Sequence, residues 1–402
     1  MKAARWIPLL VVIGSVLPGC QKPAEEAIPL LAETDYSAPL PPGQIALRKI
    51  TDPDRIPDFR PAFQLRTNLD TAVARSLNYL SKPSSRNYFP YDPQGEITHD
   101  RAVASLELFR RTLAEANSPD HLDALIRSRF EVWESVGCDG RGTVLFTGYY
   151  CPIFDARLQP DAEFRYPLYR APGDLLKDSE GNCKGRRLPG GGIDPTYYDR
   201  REIVTGGVLA GYELCYLRDP FEAYIVTVQG SAKLRLPDGS LFEIGYTANN
   251  GHDYVSVGRL LVADGKISAD ELSLATLIDY FKQHPRECSR YTDRNPRYVF
   301  FQQHAGGPFG SLNEPVTPYR SIATDKDVYP RACIAFVQTR LPGYEGRRIV
   351  EHAYHAFALD QDTGGAVRAA GRCDVFLGTG DAVGQLAGRT LAEGRIYYLF
   401  TR

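Results

Sequence analysis

The sequence is short of several things, and each shortage narrows what the protein can be. Its 402 residues carry a formal net charge of −2, so no basic field recruits nucleic acid and no acidic tail stands out. No two cysteines have C-x-x-C spacing and no H-E-x-x-H occurs, which removes the commonest zinc signatures. His352 and His355 are three apart, but EHAYHAFAL at 351–359 reads as a strand, where they point to opposite faces. The spacing predicts no metal site, and nothing in the sequence asks for a cofactor. After the first twenty residues no apolar run is long enough for a transmembrane helix. There is no alternating βαβ rhythm and no internal repeat. Only 2 tryptophans stand against 24 tyrosines. Tyrosine has an apolar face and a polar tip, which suits stacking on sugars and equally suits a β-rich core.

What is present begins at the N-terminus. Lys2 and Arg5 precede an apolar core, IPLLVVIGSV at 7–16, too short to span a bilayer comfortably. It ends in Leu17-Pro18-Gly19-Cys20. A small residue before a cysteine is the pattern of a bacterial lipoprotein signal, with residues 1–19 removed and Cys20 acylated; the plainer alternative is an ordinary secretory signal. Gln21, where an aspartate would favour inner-membrane retention, points to the periplasmic face of the outer membrane. Removing Cys20 from eight cysteines leaves seven, so they cannot all pair with one another. Residues 20–60 hold Pro23, Pro29, Pro39, Pro41, Pro42, Pro53 and Pro57 and read as a tether.

From about residue 99 to 136 apolar residues recur at helical spacing (Ala102, Leu106, Phe109, Leu113, then Leu122, Leu125, Ile126, Phe130), with a restart at Ser118-Pro119-Asp120. These read as packing helices. Residues 143–154 and 223–236 read as strands, the second followed by a Pro-Asp-Gly turn. Gly190-Gly191-Gly192 marks a loop. A helix is expected over 269–284, with a capping box of Ser268 and Glu271, and strands from 298 to the end.

Four C-terminal segments carry the chemistry: SIATDKD (321–327), LDQDTGGAV (359–367), GRCDVFLGTGD (371–381) and AGR (387–389). Asp362 stands beside Gly364 and Gly365, whose freedom would let a bulky ligand reach the main chain. Flanked by Ala366 and Val367, its carboxyl could keep a proton near neutral pH by desolvation, as glycosidic-bond cleavage requires. Asp325 and Asp374 are further candidates. Asp360 lies two residues before Asp362 and would share its face in an extended strand; it reads as a solvated strand-end residue. Asp381 reads as a turn residue or helix cap.

FTGYYCP (146–152), VQGSAKLRLPDGS (228–240), GYTANNGHDYVSVGRLL (245–261), NPRYVFF (295–301), SIATDKDVYP (321–330), QDTGGAV (361–367) and CDVFLGTGDAVGQLAGR (373–389) together resemble the membrane-bound lytic murein transglycosylase A family. The resemblance implies a mainly β fold with helices: a double-psi β-barrel related to expansins, here 60–147 plus 290–402, and an inserted smaller β-rich domain, 148–289, with a deep groove between. It implies cleavage of the β-1,4 bond between N-acetylmuramic acid and N-acetylglucosamine in peptidoglycan, leaving 1,6-anhydromuramic ends, as an exo-acting murein lyase in wall turnover. Asp362 maps onto the family's single catalytic acid, and Asp325, Asp374 and Asp360 would support the groove. Tyr149, Tyr150, Gln229, Gly230, Ser231, Gly364 and Gly365 would meet the glycan. Asn250, Gly251 and His252 would form a turn near it, and Cys151 stands where the family carries other polar residues. Expected partners are the glycan strands, the membrane through the lipid, and other cell-wall enzymes. Competing readings are a peptidoglycan hydrolase that uses water and a non-catalytic, expansin-like wall-binding lipoprotein.

Overall fold

A computed structural model of the chain describes residues 34–402 apart from 180, 269–271 and 273. The signal segment and Cys20 lie outside the described residues, as does Glu271 of the expected capping box. Chain order begins with an edge strand, Leu47–Lys49 (β1), whose neighbours Ala46 and Ile50 are buried. Among the described residues, regular structure thus begins inside the proline-rich stretch. Three helices follow: Leu69–Ser81 (α1), His99–Glu115 (α2) and Pro119–Arg129 (α3). The Ser118 side chain accepts from the His121 amide and Pro119 takes the first helical position, the restart that the sequence signals. The helical reading fails after Arg129. Phe130–Ser135 forms strand β2, because these residues pair with the C-terminal strand instead of continuing a helix. Val144–Cys151 is β3, and Pro152 separates it from Ile153–Arg157 (β4).

The insert continues with Tyr166–Tyr169 (β5), Leu175–Lys177 (β6), Cys183–Arg187 (β7), Ile193–Asp194 (β8) and Glu213–Leu217 (β9). Arg200–Thr205 (α4) lies between the last two. Next come Pro220–Gln229 (α5), Ser231–Arg235 (β10), Leu241–Asn249 (β11), Val257–Ala263 (α6), Leu274–Gln283 (α7), Cys288–Thr292 (α8) and Val299–Gln303 (β12). The sequence reading of 223–236 as one strand is wrong over its first half. Asp219 accepts from the amides of Phe221 and Glu222 at 2.7 and 3.0 Å, Pro220 is in the first turn, and Gly230 ends the helix with φ of 77°. These stop and start signals outweigh the β-branched composition, since Phe221, Tyr224 and Ile225 bury one helical face.

The C-terminal part adds Ser321–Ala323 (β13), Ile334–Glu345 (β14), Arg348–Asp362 (β15), Arg372–Thr379 (β16), Asp381–Ala387 (α9) and Leu391–Thr401 (β17). Strands run β1-β2-β17-β14-β15-β13-β16-β3, and a further pairing of β17 with β3 closes six of them into a barrel. β13 with β15 and β16 with β3 are parallel, while the other ring pairings are antiparallel. A second sheet, β12-β11-β10-β4-β9-β5, forms the insert with the small β6-β7-β8 sheet; β12 thus extends it past residue 289. Phe59, ahead of α1, and Phe109 of α2 cover the barrel through aromatic contacts, Phe59 to Phe336 at 4.8 Å and Phe109 to Phe357 at 4.9 Å between ring centres. Each such buried ring contributes about 1.5–3 kcal/mol of apolar burial.

Candidate active site

β15 delivers three consecutive polar residues to three different surroundings. A bulge makes this possible: Ile322 pairs with Asp360 but Ala323 pairs with Asp362, so one extra residue interrupts the alternation. The Asp360 side chain is fully buried, ion-paired with Lys326, and accepts from Thr324 Oγ1 and Tyr398 OH at 2.7 Å each. It is neither solvated nor on the face of Asp362, which corrects the sequence expectation. Gln361, also buried, donates to the Ala72 carbonyl at 2.8 Å and accepts from Ser321 Oγ at 2.6 Å, fastening β15 to α1. Only Asp362 opens toward solvent.

The Asp362 carboxylate accepts from Tyr149 OH, from the Ser311 amide and from the Thr363 amide, each at 2.8 Å. Such donors favour the charged form. Burial is nevertheless the largest influence and pushes the carboxyl above its usual value, against those donors and the charge of Lys326. The group is surrounded by protein and still keeps accessible surface, the condition of a residue on the floor of a cleft. Tyr149 rises from β3 with its ring 5.2 Å from Phe376. Burial, then the nearby Asp362 charge, raises its phenol well above the usual value, so it remains a donor.

The loop before β13 covers the other side. A β-carbon on Gly310 would sit 2.6 Å from the Gln361 carbonyl and 3.1 Å from the Asp362 carboxyl carbon, so glycine is what lets this loop close on the acid. Gly310, Ser311 and Lys326 were missed in the sequence; the glycine punctuation of HAGGPFGS at 304–311 was the available signal. Neither Gly364 nor Gly365 adopts the left-handed region, so their expected backbone freedom is not used. Gly365 faces the insert, where a β-carbon would be in ordinary contact, 3.5 Å from Tyr254 Cβ.

The remaining candidates divide. Asp374 accepts from Thr147 Oγ1 and lies 3.6 Å from Arg372, mostly buried. Asp325 is buried and accepts from the Ala369 amide at 2.7 Å and the Asp327 amide at 3.1 Å, pinning the loop that follows Asp362. Tyr150 does not face a ligand: it is buried against α9, where a β-carbon on Gly384 would touch its ring at 2.8 Å. Cys151 is buried beside Val316 and Phe376, and burial pushes its thiol up to about 11. Gln229, Gly230 and Ser231 form the α5–β10 junction, with Ser231 buried; among the described residues no hydrogen bond joins them to the Asp362 cluster. Asn250 and Gly251 form the expected turn, and His252 Nε2 lies 2.9 Å from the Tyr197 carbonyl. Asp381 is the first residue of α9, after Gly380 at the cap. Cys138, Cys151, Cys183, Cys215, Cys288, Cys333 and Cys373 are all free thiols. Among the described residues no group of three or more His, Cys, Asp or Glu is placed to hold a metal, and no helix is long and apolar enough to cross a membrane.

The chain is similar to known proteins in sequence and fold. The family model of the MltA specific insert domain matches residues 145–302, and that of the 3D domain matches residues 320–400. The membrane-bound lytic murein transglycosylase A of Escherichia coli is 29% identical over 274 residues, 67% of this chain and 69% of the relative. That of Vibrio cholerae is 28% identical over 323 residues, 78% and 82% of the two chains. The crystal structure of a membrane-bound lytic murein transglycosylase from Agrobacterium tumefaciens is similar with a TM-score of 0.73 at 25% identity, covering 89% of this chain and 98% of that one. The structure of Escherichia coli MltA with bound chitohexaose has a TM-score of 0.66 at 22% identity over 92% and 96%, a likeness of fold. With one family model on the insert, the other on the barrel, and relatives alike over most of their length, the chain belongs to the membrane-bound lytic murein transglycosylase A family.

Proposed function

We propose that this protein is a lytic transglycosylase that cleaves the β-1,4 bond between N-acetylmuramic acid and N-acetylglucosamine in peptidoglycan, with Asp362 as the sole acid and base. The observation that carries the reading is the Asp362 carboxyl itself, held by three fixed donors, raised by burial and still keeping accessible surface. The protonated Asp362 gives its proton to the glycosidic oxygen as the bond to the anomeric carbon breaks. The resulting carboxylate takes the proton of the muramic 6-hydroxyl, whose oxygen bonds to the same carbon. Atoms balance without water, and both reacting groups lie in one sugar, which makes attack effectively unimolecular. A hydrolase would need a second carboxylate to activate water or to attack. Asp360 is disqualified for that task by its buried ion pair.

In this reading the barrel and the insert flank the glycan groove, Tyr149 orients the acid, and Asp374 and Asp325 shape its surroundings. Residues 1–19 form a signal and Cys20 carries lipid, placing the body at the periplasmic face of the outer membrane within reach of other wall enzymes. The test is product analysis by mass spectrometry of digested peptidoglycan. Anhydromuramic ends are expected from the wild type. Asp362→Asn should lose at least about 10³-fold in their release, toward the upper range of general acid–base effects. Reducing ends would establish the hydrolase, and sacculus binding without products the wall-binding reading.

A further inference from the structure

Arg297 lies in NPRYVFF, just before β12, and reaches the loop that leaves the catalytic strand. A β-carbon on Gly365 would be 3.6 Å from Arg297 Nε and 3.5 Å from Tyr254 Cβ. Two insert side chains thus stand against the backbone three residues beyond Asp362. One Arg297 nitrogen donates to the His252 carbonyl at 3.1 Å, which fixes the guanidinium and leaves most of its donors unspent. Among the described residues no carboxylate lies within ion-pair distance of Arg297 or of the exposed Arg368. Burial is the main influence on Arg297 and disfavours its charge; Tyr246 and Asp253 favour it and Arg368 opposes it. A half-buried guanidinium with donors to spare, and no carboxylate within ion-pair distance, is an arrangement that an anion relieves.

We propose that Arg297 receives a carboxylate of the substituent on N-acetylmuramic acid, the lactyl ether or the peptide it bears. This inference rests on the transglycosylase reading and adds its specificity. N-acetylmuramic acid differs from N-acetylglucosamine by that substituent alone, so its carboxylates are the charge that separates peptidoglycan from an uncharged glycan of the same backbone. A planar guanidinium held at one edge presents its other donors as a fork, the geometry a carboxylate fits.

The test is equilibrium binding in the Asp362→Asn background, where nothing is turned over. The ligands are soluble peptidoglycan strands, strands whose peptides an amidase has removed to leave lactyl carboxylates, and the N-acetylglucosamine hexamer. Adding Arg297→Gln should weaken binding of both anionic strands by about tenfold or more, the size expected of a charge-assisted pair. Hexamer binding and melting temperature should hold. The salt dependence of strand binding should shrink, and Arg297→Lys should restore part of it. Equal losses for hexamer and strands would reduce Arg297 to a support of the 252–254 turn and overturn the proposal, as would no loss at all. Failure of the parent reading appears elsewhere, as wild-type digests without anhydromuramic ends, and leaves this binding comparison intact.

Discussion

An acid that works at neutral pH needs a raised pKa, and Asp362 meets that need while three donors pull the other way. Its phenolic partner is the adjustable one. Tyr149 OH favours the carboxylate by its hydrogen bond, so removing it lets burial raise the carboxyl further. The reaction starts from the protonated acid, and the rate falls as pH climbs through that pKa. Tyr149→Phe should therefore move the alkaline limb of the kcat/KM profile to higher pH. An unmoved or acid-shifted limb would mean that Tyr149 does not address the acid. Asp362 and Tyr149 were both singled out from the sequence by its motifs, and their side chains do meet in the fold. The burial of Tyr150 was not legible, since neighbouring strand residues face opposite sides and only packing against α9 decides which side is buried.

At the scale of elements, the bulge in β15 separates a structural aspartate from a chemical one. Asp360 and Lys326 form a pair that is almost wholly buried, and breaking such a pair from one side leaves an uncompensated charge. Lys326→Met or Asp360→Asn should each destabilise by about 3–5 kcal/mol. Joint replacement by Lys326→Met with Asp360→Leu should cost much less than the sum, because apolar residues of similar volume carry no charge to desolvate. Thermal melting of the three variants reads this; additive losses would show that the pair does not act as a unit. The bulge had no signal in the sequence, because it arises from the pairing of β15 with β13, far apart along the chain. The same cause hid Gly310 and Ser311, which meet Asp362 only in three dimensions. The misread α5 is a different case. Its cap, its proline and its closing glycine were all visible, but the β-branched composition was given more weight than the punctuation.

Over the whole molecule, the barrel and the insert were foreseeable from motifs in register, whereas their seam was not. The insert borrows β12 after residue 289, and the barrel borrows β1 from the proline-rich stretch. That second loan shortens any tether. From Cys20 to Asp35 there are 14 intervening residues, a reach of about 50 Å at full extension. Asp362, its donors and the facing Arg297 all belong to residues beyond that span, so the anchor would contribute location and none of the chemistry. Cys20→Ala should then abolish labelling by a fatty-acid analogue and move the protein from the membrane fraction to the soluble one. Its release of anhydromuropeptides from isolated peptidoglycan should match the wild type, because an enzyme free in solution reaches suspended peptidoglycan without a tether. Labelling that persists in Cys20→Ala would refute the anchor. Loss of activity on isolated peptidoglycan would instead assign the N-terminal segment a part in the groove.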